Sequence, residues 1–165
     1  MGLDALESRL GHQFHDPGLL HRAMCHRSWV AESAVPEVSN ERLEFLGDAV
    51  LGWVVADLVF RNFSQLAEGA LTDLRKSVVN AHALAEVAVE LGLGEHLLLG
   101  RGEDAAGGRL KTSILSDAME AVIGGTGVID EVFDRQRMQG RDPAGGWLYC
   151  LTTSGAYEQI HRSSD

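Results

Sequence analysis

The stretch from Asn40 to Leu51, N-E-R-L-E-F-L-G-D-A-V-L, constrains this chain more than any other. Written as a helix, it places Glu41, Glu44 and Asp48 at i, i+3 and i+7, all on one face. Around them stand Leu43, Phe45, Leu46, Ala49, Val50 and Leu51, and the apolar run continues into Trp53, Val54 and Val55. Carboxylates gathered in so apolar a segment repel one another and resist desolvation, so they call for a cation or a partner. Two readings are open at this point. One is a solvated acidic stripe on an amphipathic helix; the other is a site.

The remaining pattern is helical. Leu3, Leu6 and Leu10 mark a short helix that Gly11 stops. Asp16 before Pro17 is a helix start, with Leu19, Leu20, Ala23 and Met24 as its buried stripe and His26-Arg27-Ser28 at its close. Ala31 to Ser39, with Pro36, reads as a loop, and Ser39 or Asn40 caps a long helix running to about Asn62. Glu68 opens a helix whose apolar face is Leu71, Leu74, Val78 and Val79. Asn80 opens the next, burying Ala83, Leu84, Val87 and Leu91 before Gly92 and Gly94 end it. Gly100 to Gly108 reads as a mobile connection. A last helix from about Lys111 buries Ile114, Leu115, Ala118, Met119, Val122 and Ile123. With so little β alternation the expected fold class is all-α.

Past Ile123 the pattern stops. Gly124, Gly125 and Gly127 would break a helix, so the expected division is a domain over 1–124 and a divergent, poorly specified tail over 125–165. A truncated or frame-shifted reading frame is one account of so abrupt a change.

Charge limits the partners. At a formal net charge of −10 over 165 residues, the chain has no general pull on nucleic acid or anionic membrane. A polyanionic partner would have to be held by local basic groups or by metal ions. Cys25 and Cys150 lie far apart and outside any C-x-x-C pattern, which suits free thiols in a cytosolic chain. The apolar stretch from Ala49 to Phe60 is broken by Asp57 and too short to span a bilayer, and the first ten residues lack the order of a signal peptide. The expected compartment is the cytoplasm, with no membrane partner. His12, His15, His21 and His26 have no cysteine or acid at zinc-ligand spacing in the sequence.

The last helix carries a second acidic pair, Asp117 and Glu120, at i, i+3 among apolar residues. Were it to pack beside the first, Glu44, Asp48, Asp117 and Glu120 would converge. Hard oxygen ligands of that kind suit Mg²⁺, with Mn²⁺ as a substitute, and leave room for a substrate phosphate. Such a cluster would bind divalent ions, activate a water and neutralise charge on a phosphodiester under in-line attack. Two unrelated acidic faces are the alternative.

The stretch N-E-R-L-E-F-L-G-D-A-V-L resembles the signature of the ribonuclease III family of double-strand-specific endoribonucleases. His26-Arg27-Ser28 resembles that family's H-R-S element, and Glu68-Gly69 with Leu71, Leu74 and Arg75 its E-G-x-L-x-x-L-R segment. Leu99 to Glu103 is similar to its L-G-x-G-E loop, and Ser113 to Ala121 to its S-I-L-x-D-x-x-E-A segment. These matches are collinear over about residues 1–124. The resemblance implies an all-α endonuclease domain that hydrolyses double-stranded RNA with a divalent metal. It further implies 5′-phosphate and 3′-hydroxyl ends with short 3′ overhangs, in the processing of ribosomal and messenger RNA precursors. By position, Glu44, Asp48, Asp117 and Glu120 take the places of the metal-binding catalytic carboxylates. Glu41 and Glu68 take assisting acidic positions. Phe45 takes that of an aromatic inserted into a partner at a homodimer interface. Arg75, Lys76 and Arg101, with Arg109 and Lys111, are the candidates for RNA contact. After Ile123 the family's continuing helix and its RNA-binding domain are not matched. The runner-up is a catalytically impaired member acting as an RNA-binding scaffold. A third reading is a different Mg²⁺-dependent all-α hydrolase acting on nucleotides.

Overall fold

The computed structural model describes residues 2–126. They fold as eight helices: α1 (Leu3–Leu10), α2 (Pro17–Ala23), α3 (Arg27–Glu32), α4 (Glu41–Asn62), α5 (Glu68–Val78), α6 (Ala81–Glu90), α7 (Arg101–Ala105) and α8 (Thr112–Gly125). Two 3-10 turns, Leu93–Glu95 and Gly108–Leu110, connect the later ones. The all-α expectation holds. Among the described residues there is no strand, only an isolated parallel bridge between Cys25 and Leu98. The tail expectations for Gly127 onward, Cys150 included, lie outside the described residues.

α8 is the helix the others surround. It packs most extensively on α4, then on α6 and α2. From Ile114 to Thr126 every residue is buried except Asp117, Glu120 and Gly124, which form one stripe at i, i+3 and i+7. Leu115, Met119 and Ile123 are sealed in the core with Leu51 of α4, Leu84 of α6, Leu20 of α2 and Leu6 and Leu10 of α1. Each such side chain contributes roughly 1.5–3 kcal/mol over its exposed state. That burial fixes the rotation of α8 and so the direction of its acidic stripe.

Local chemistry agrees with the sequence at several helix starts and differs at others. Asp16 Oδ1 accepts from the Gly18 N–H at 2.8 Å, and Asn80 Oδ1 accepts from those of His82 and Ala83 at 3.1 and 3.0 Å. His26-Arg27-Ser28 does not close α2, which ends at Ala23. It opens α3 instead, with His26 Nδ1 accepting from the Ser28 N–H as the cap. Neither Ser39 nor Asn40 supplies a side-chain cap to α4. Asn40 is buried and spends its amide on the Ala23 carbonyl at 3.3 Å, tying the start of α4 to the end of α2.

Gly100–Gly108 is not a loose connection. It contains α7, and its ends are pinned: the Gly100 N–H donates to Ser28 Oγ at 2.9 Å, and Lys111 pairs with Glu103. Arg109 adds bonds to the Gly94 and Leu97 carbonyls at 2.9 and 2.8 Å. Gly124 and Gly125, expected to break the last helix, form its final turn, with Thr126 as the C-cap. Among the described residues no helix is long and apolar enough to cross a membrane.

Candidate active site

The crossing of α4 and α8 builds the site. A Cβ on Gly47 would stand 1.7 Å from the Glu120 carbonyl oxygen, and one on Gly124 would stand 2.1 Å from that of Leu43. Only a hydrogen at these positions allows the two backbones so close. The contact puts Glu44, one turn before Gly47, against the stripe of α8. Oxygen atoms of Glu44, Asp117 and Glu120 all lie within 4.8 Å of one another.

Such proximity disturbs the carboxyls. Burial, then the charges of Asp48, Asp117 and Glu44, pushes Glu120 up to about 7 from an ordinary 4.5. Glu44 is raised by burial and then by Asp117, Glu41 and Asp48. Asp117 is raised by burial, opposed in part by the Ser116 hydroxyl that donates to it. Three half-buried carboxyls held against mutual repulsion, all hard oxygen donors, are a fitting set for a divalent cation, which would relieve the cost of ionising them.

The other expected residues are placed as follows. Asp48, one turn beyond Glu44, is exposed and stands beside the trio rather than in it, yet is the strongest charge felt by Glu120. Glu41 lines the same cavity as Glu44 and Asp117 and accepts from the Ser39 hydroxyl at 2.7 Å. Glu68 is not brought to the trio; exposed on α5, it accepts from the Thr72 hydroxyl at 3.2 Å. Arg75 and Lys76 line a second cavity with Asp48 and Trp53. Arg101 is exposed and paired with Glu32 at 3.3 Å, while Arg109 and Lys111 are held by Asp104 and Glu103. Phe45 is 80% exposed and so not part of the core.

Part of the site is not legible in the sequence. The cavity at the trio, about 390 Å³, is also lined by His26, Arg27, Asn40, Glu103 and Ser113. Within the H-R-S element Ser28 is a hydrogen-bonding corner, but His26 and Arg27 face the acids. Burial lowers the His26 pKa, against the opposing charges of Glu103, Asp117 and Glu41. His21 and Cys25, at i, i+4, also meet Glu37 within 4.8 Å, a proximity that the linear spacing hides. The Cys25 thiol donates to the His21 carbonyl, and burial pushes it up to about 11, so it is a protonated structural group.

The sequence model of the Ribonuclease-III-like family matches residues 16–129. The chain belongs to the ribonuclease-III-like family. It is 48% identical over 144 residues to Ribonuclease 3 of Syntrophobacter fumaroxidans, covering 81% of this chain and 60% of that protein. With Ribonuclease 3 of Thermobifida fusca it shares 56% over 109 residues, 66% of this chain and 45% of that protein. The chain spans about half the length of the curated relatives it matches. The nuclease domain of ribonuclease III from Campylobacter jejuni has a similar fold: TM-score 0.72, 36% identity, 98% of this chain and 97% of that one. Ribonuclease-III-like membership accounts for the intact signature of α4. The crossing at Gly47 shows what the signature does physically, since its one glycine lets the acids of two helices meet.

Proposed function

We propose that this chain is a divalent-metal endoribonuclease that hydrolyses phosphodiester bonds of double-stranded RNA. The observation that carries the reading is the trio Glu44, Asp117 and Glu120, whose carboxylate oxygens lie within 4.8 Å of one another, in a chain of the ribonuclease-III-like family. Mg²⁺, or Mn²⁺ in its place, would be held by these three with Asp48 from the next turn. When bound, such an ion supplies an activated water and neutralises charge at the phosphate under attack. The carboxyls would hold and orient that ion. The packing of α8 on α4, α6 and α2 keeps them from relaxing apart. Glu41 stands at the cavity rim to take part in RNA contact, and Glu68, further along, assists only across a longer bound duplex. Arg75, Lys76 and Arg101 are proposed as phosphate contacts flanking the site. The products would carry 5′-phosphate and 3′-hydroxyl ends with short 3′ overhangs. An A-form duplex suits a protein that reads phosphates and shape rather than base sequence.

The working unit would be a homodimer. Phe45, Trp53 and Phe60 stand exposed on one face of α4, and the cavity of about 440 Å³ between Trp53 and Val79, with Asp48, Arg75 and Lys76 also in its walls, would take the partner's aromatic ring. The similar nuclease domain from Campylobacter jejuni has a region involved in dimer formation, which supports the same reading here.

The test is cleavage of a labelled RNA duplex with Mg²⁺ by the parent chain beside Glu120→Gln. The parent should cut and the variant should lose at least a hundredfold in rate, as expected for a group that organises the metal. Binding without cleavage by the parent would point to a scaffold and overturn the nuclease reading.

A further inference from the structure

The cavity at the trio poses an electrostatic difficulty for any RNA that enters it. Its walls carry four carboxyls, from Glu41, Glu44, Glu103 and Asp117, against two cationic side chains, Arg27 and Lys111. Lys111 is tied to Glu103. Arg27 is exposed, and among the described residues its side chain makes no hydrogen bond or ion pair. A guanidinium left uncommitted beside so many acids is available to an incoming anion, and its planar fork matches two oxygens of a phosphate.

Its neighbour His26 is oriented by a chain of hydrogen bonds. The Gly100 N–H donates to Ser28 Oγ at 2.9 Å, which leaves the Ser28 hydroxyl hydrogen for His26 Nδ1 at 2.7 Å. The same Nδ1 accepts from the Ser28 N–H at 3.2 Å. Nδ1 is therefore an acceptor twice over, and in the neutral ring the proton sits on Nε2. Among the described residues no hydrogen bond engages Nε2, and the ring lines the cavity.

We propose that His26, through its Nε2–H, and Arg27, through its guanidinium, bind a backbone phosphate of the RNA opposite the carboxylate trio. The assignment rests on the duplex-RNA nuclease reading above. Both groups donate to non-bridging phosphate oxygens, where negative charge grows during in-line attack, so their hydrogen bonds strengthen in the transition state. They also offset the repulsion that Glu41 and Glu103 exert on an entering strand. The corner of Ser28 and Gly100 makes His26 rigid, so the donor is already in place before the substrate arrives.

The variants separate this role from the cap. In His26→Asn the amide oxygen can still accept from the Ser28 N–H, as asparagine does at other helix starts, while the Nε2–H is lost. The thermal midpoint should stay within a few degrees of the parent's. At saturating duplex and Mg²⁺ the single-turnover cleavage rate should fall by about tenfold to a hundredfold. Arg27→Gln should raise KM by about tenfold and Arg27→Lys should recover part of it, because a point charge replaces half the fork. An H26N chain that folds and cuts as fast as the parent overturns the inference and leaves the nuclease reading standing. Because Arg27 is exposed, R27Q will fold whatever happens at position 26, and parental KM and rate in that variant overturn the inference as well. A parent that neither binds nor cuts the duplex overturns both readings together.

Discussion

Glu120 is the residue whose state reports most directly on the site. With no divalent ion present, its folded pKa near 7 lies above the ordinary 4.5, because burial and three neighbouring carboxyls disfavour its charge. Between those values the native chain keeps a proton that the unfolded chain has released. The contribution of Glu120 to stability is thus present at low pH and is lost as pH rises from about 4.5 to about 7. Glu44 and Asp117, also raised, act in the same direction. His26 and His96, both lowered by burial, act in the opposite direction near their own pKa, so the informative quantity is the difference between variants. In EDTA, Glu120→Gln should unfold at higher urea than the parent at pH 8 by roughly 1–2 kcal/mol, allowing for the solvent that reaches a half-buried group. At pH 4.5 the two should nearly coincide, and added Mg²⁺ should stabilise the parent alone. A gain that is the same at both pH values contradicts the account. At this scale the sequence was partly legible. Spacing put Glu41, Glu44 and Asp48 on one helix face and Asp117 and Glu120 on another, and left open whether the two faces meet. His26 was not legible, because what orients it comes from Gly100, 72 positions away from Ser28.

Helix existence was readable from apolar periodicity, and α1, α2, α4, α5, α6 and α8 lie where the pattern puts them. Two kinds of element detail were not. α7 is short and has no buried residues of its own, so nothing periodic announces it; it is held by Ser28, Glu32 and Lys111. The glycines at the crossing of α4 and α8 carry no local sign of their use either. A glycine in sequence signals a break, whereas Gly47 and Gly124 are places where one helix backbone rests on the other. The consequence is testable. Gly47→Ala puts a methyl carbon where the Glu120 carbonyl already is, and α4 and α8 must separate to admit it. The expected loss is about 2–4 kcal/mol in urea unfolding, as for other overpacked cores. Whatever folded protein remains should bind Mn²⁺ more weakly, because the trio opens with the crossing. Gly69→Ala is the control, since a Cβ there meets nothing within 4 Å, and it should change stability by less than about 0.5 kcal/mol. Equal effects at both positions would refute the close-crossing account.

At the scale of the whole molecule, the long helix has one role on each side. Leu43, Gly47, Val50, Leu51, Val54, Val55 and Val59 face the core, so α4 reads as apolar along its length. Its opposite side leaves Phe45 80%, Trp53 44% and Phe60 69% exposed. Aromatic surface of that extent on a chain of net charge −10 is costly in water unless something covers it. A second copy of the same helix face, related by a two-fold axis, is the simplest cover, because each copy then offers both the ring and the cavity beside Trp53. The family resemblance implied this role for Phe45, although hydrophobicity alone would have assigned it to the core. The two roles predict different things. If Phe45 were core, Phe45→Ala would lower the stability of the monomer by about 3–5 kcal/mol. As an interface anchor it should instead leave the urea midpoint at high dilution unchanged and raise the dimer dissociation constant by about tenfold to a hundredfold. Sedimentation equilibrium across micromolar concentrations reads the second quantity, and far-ultraviolet dichroism in urea reads the first. A destabilised monomer with unaltered association would return Phe45 to the fold and leave the aromatic face of α4 without its second copy.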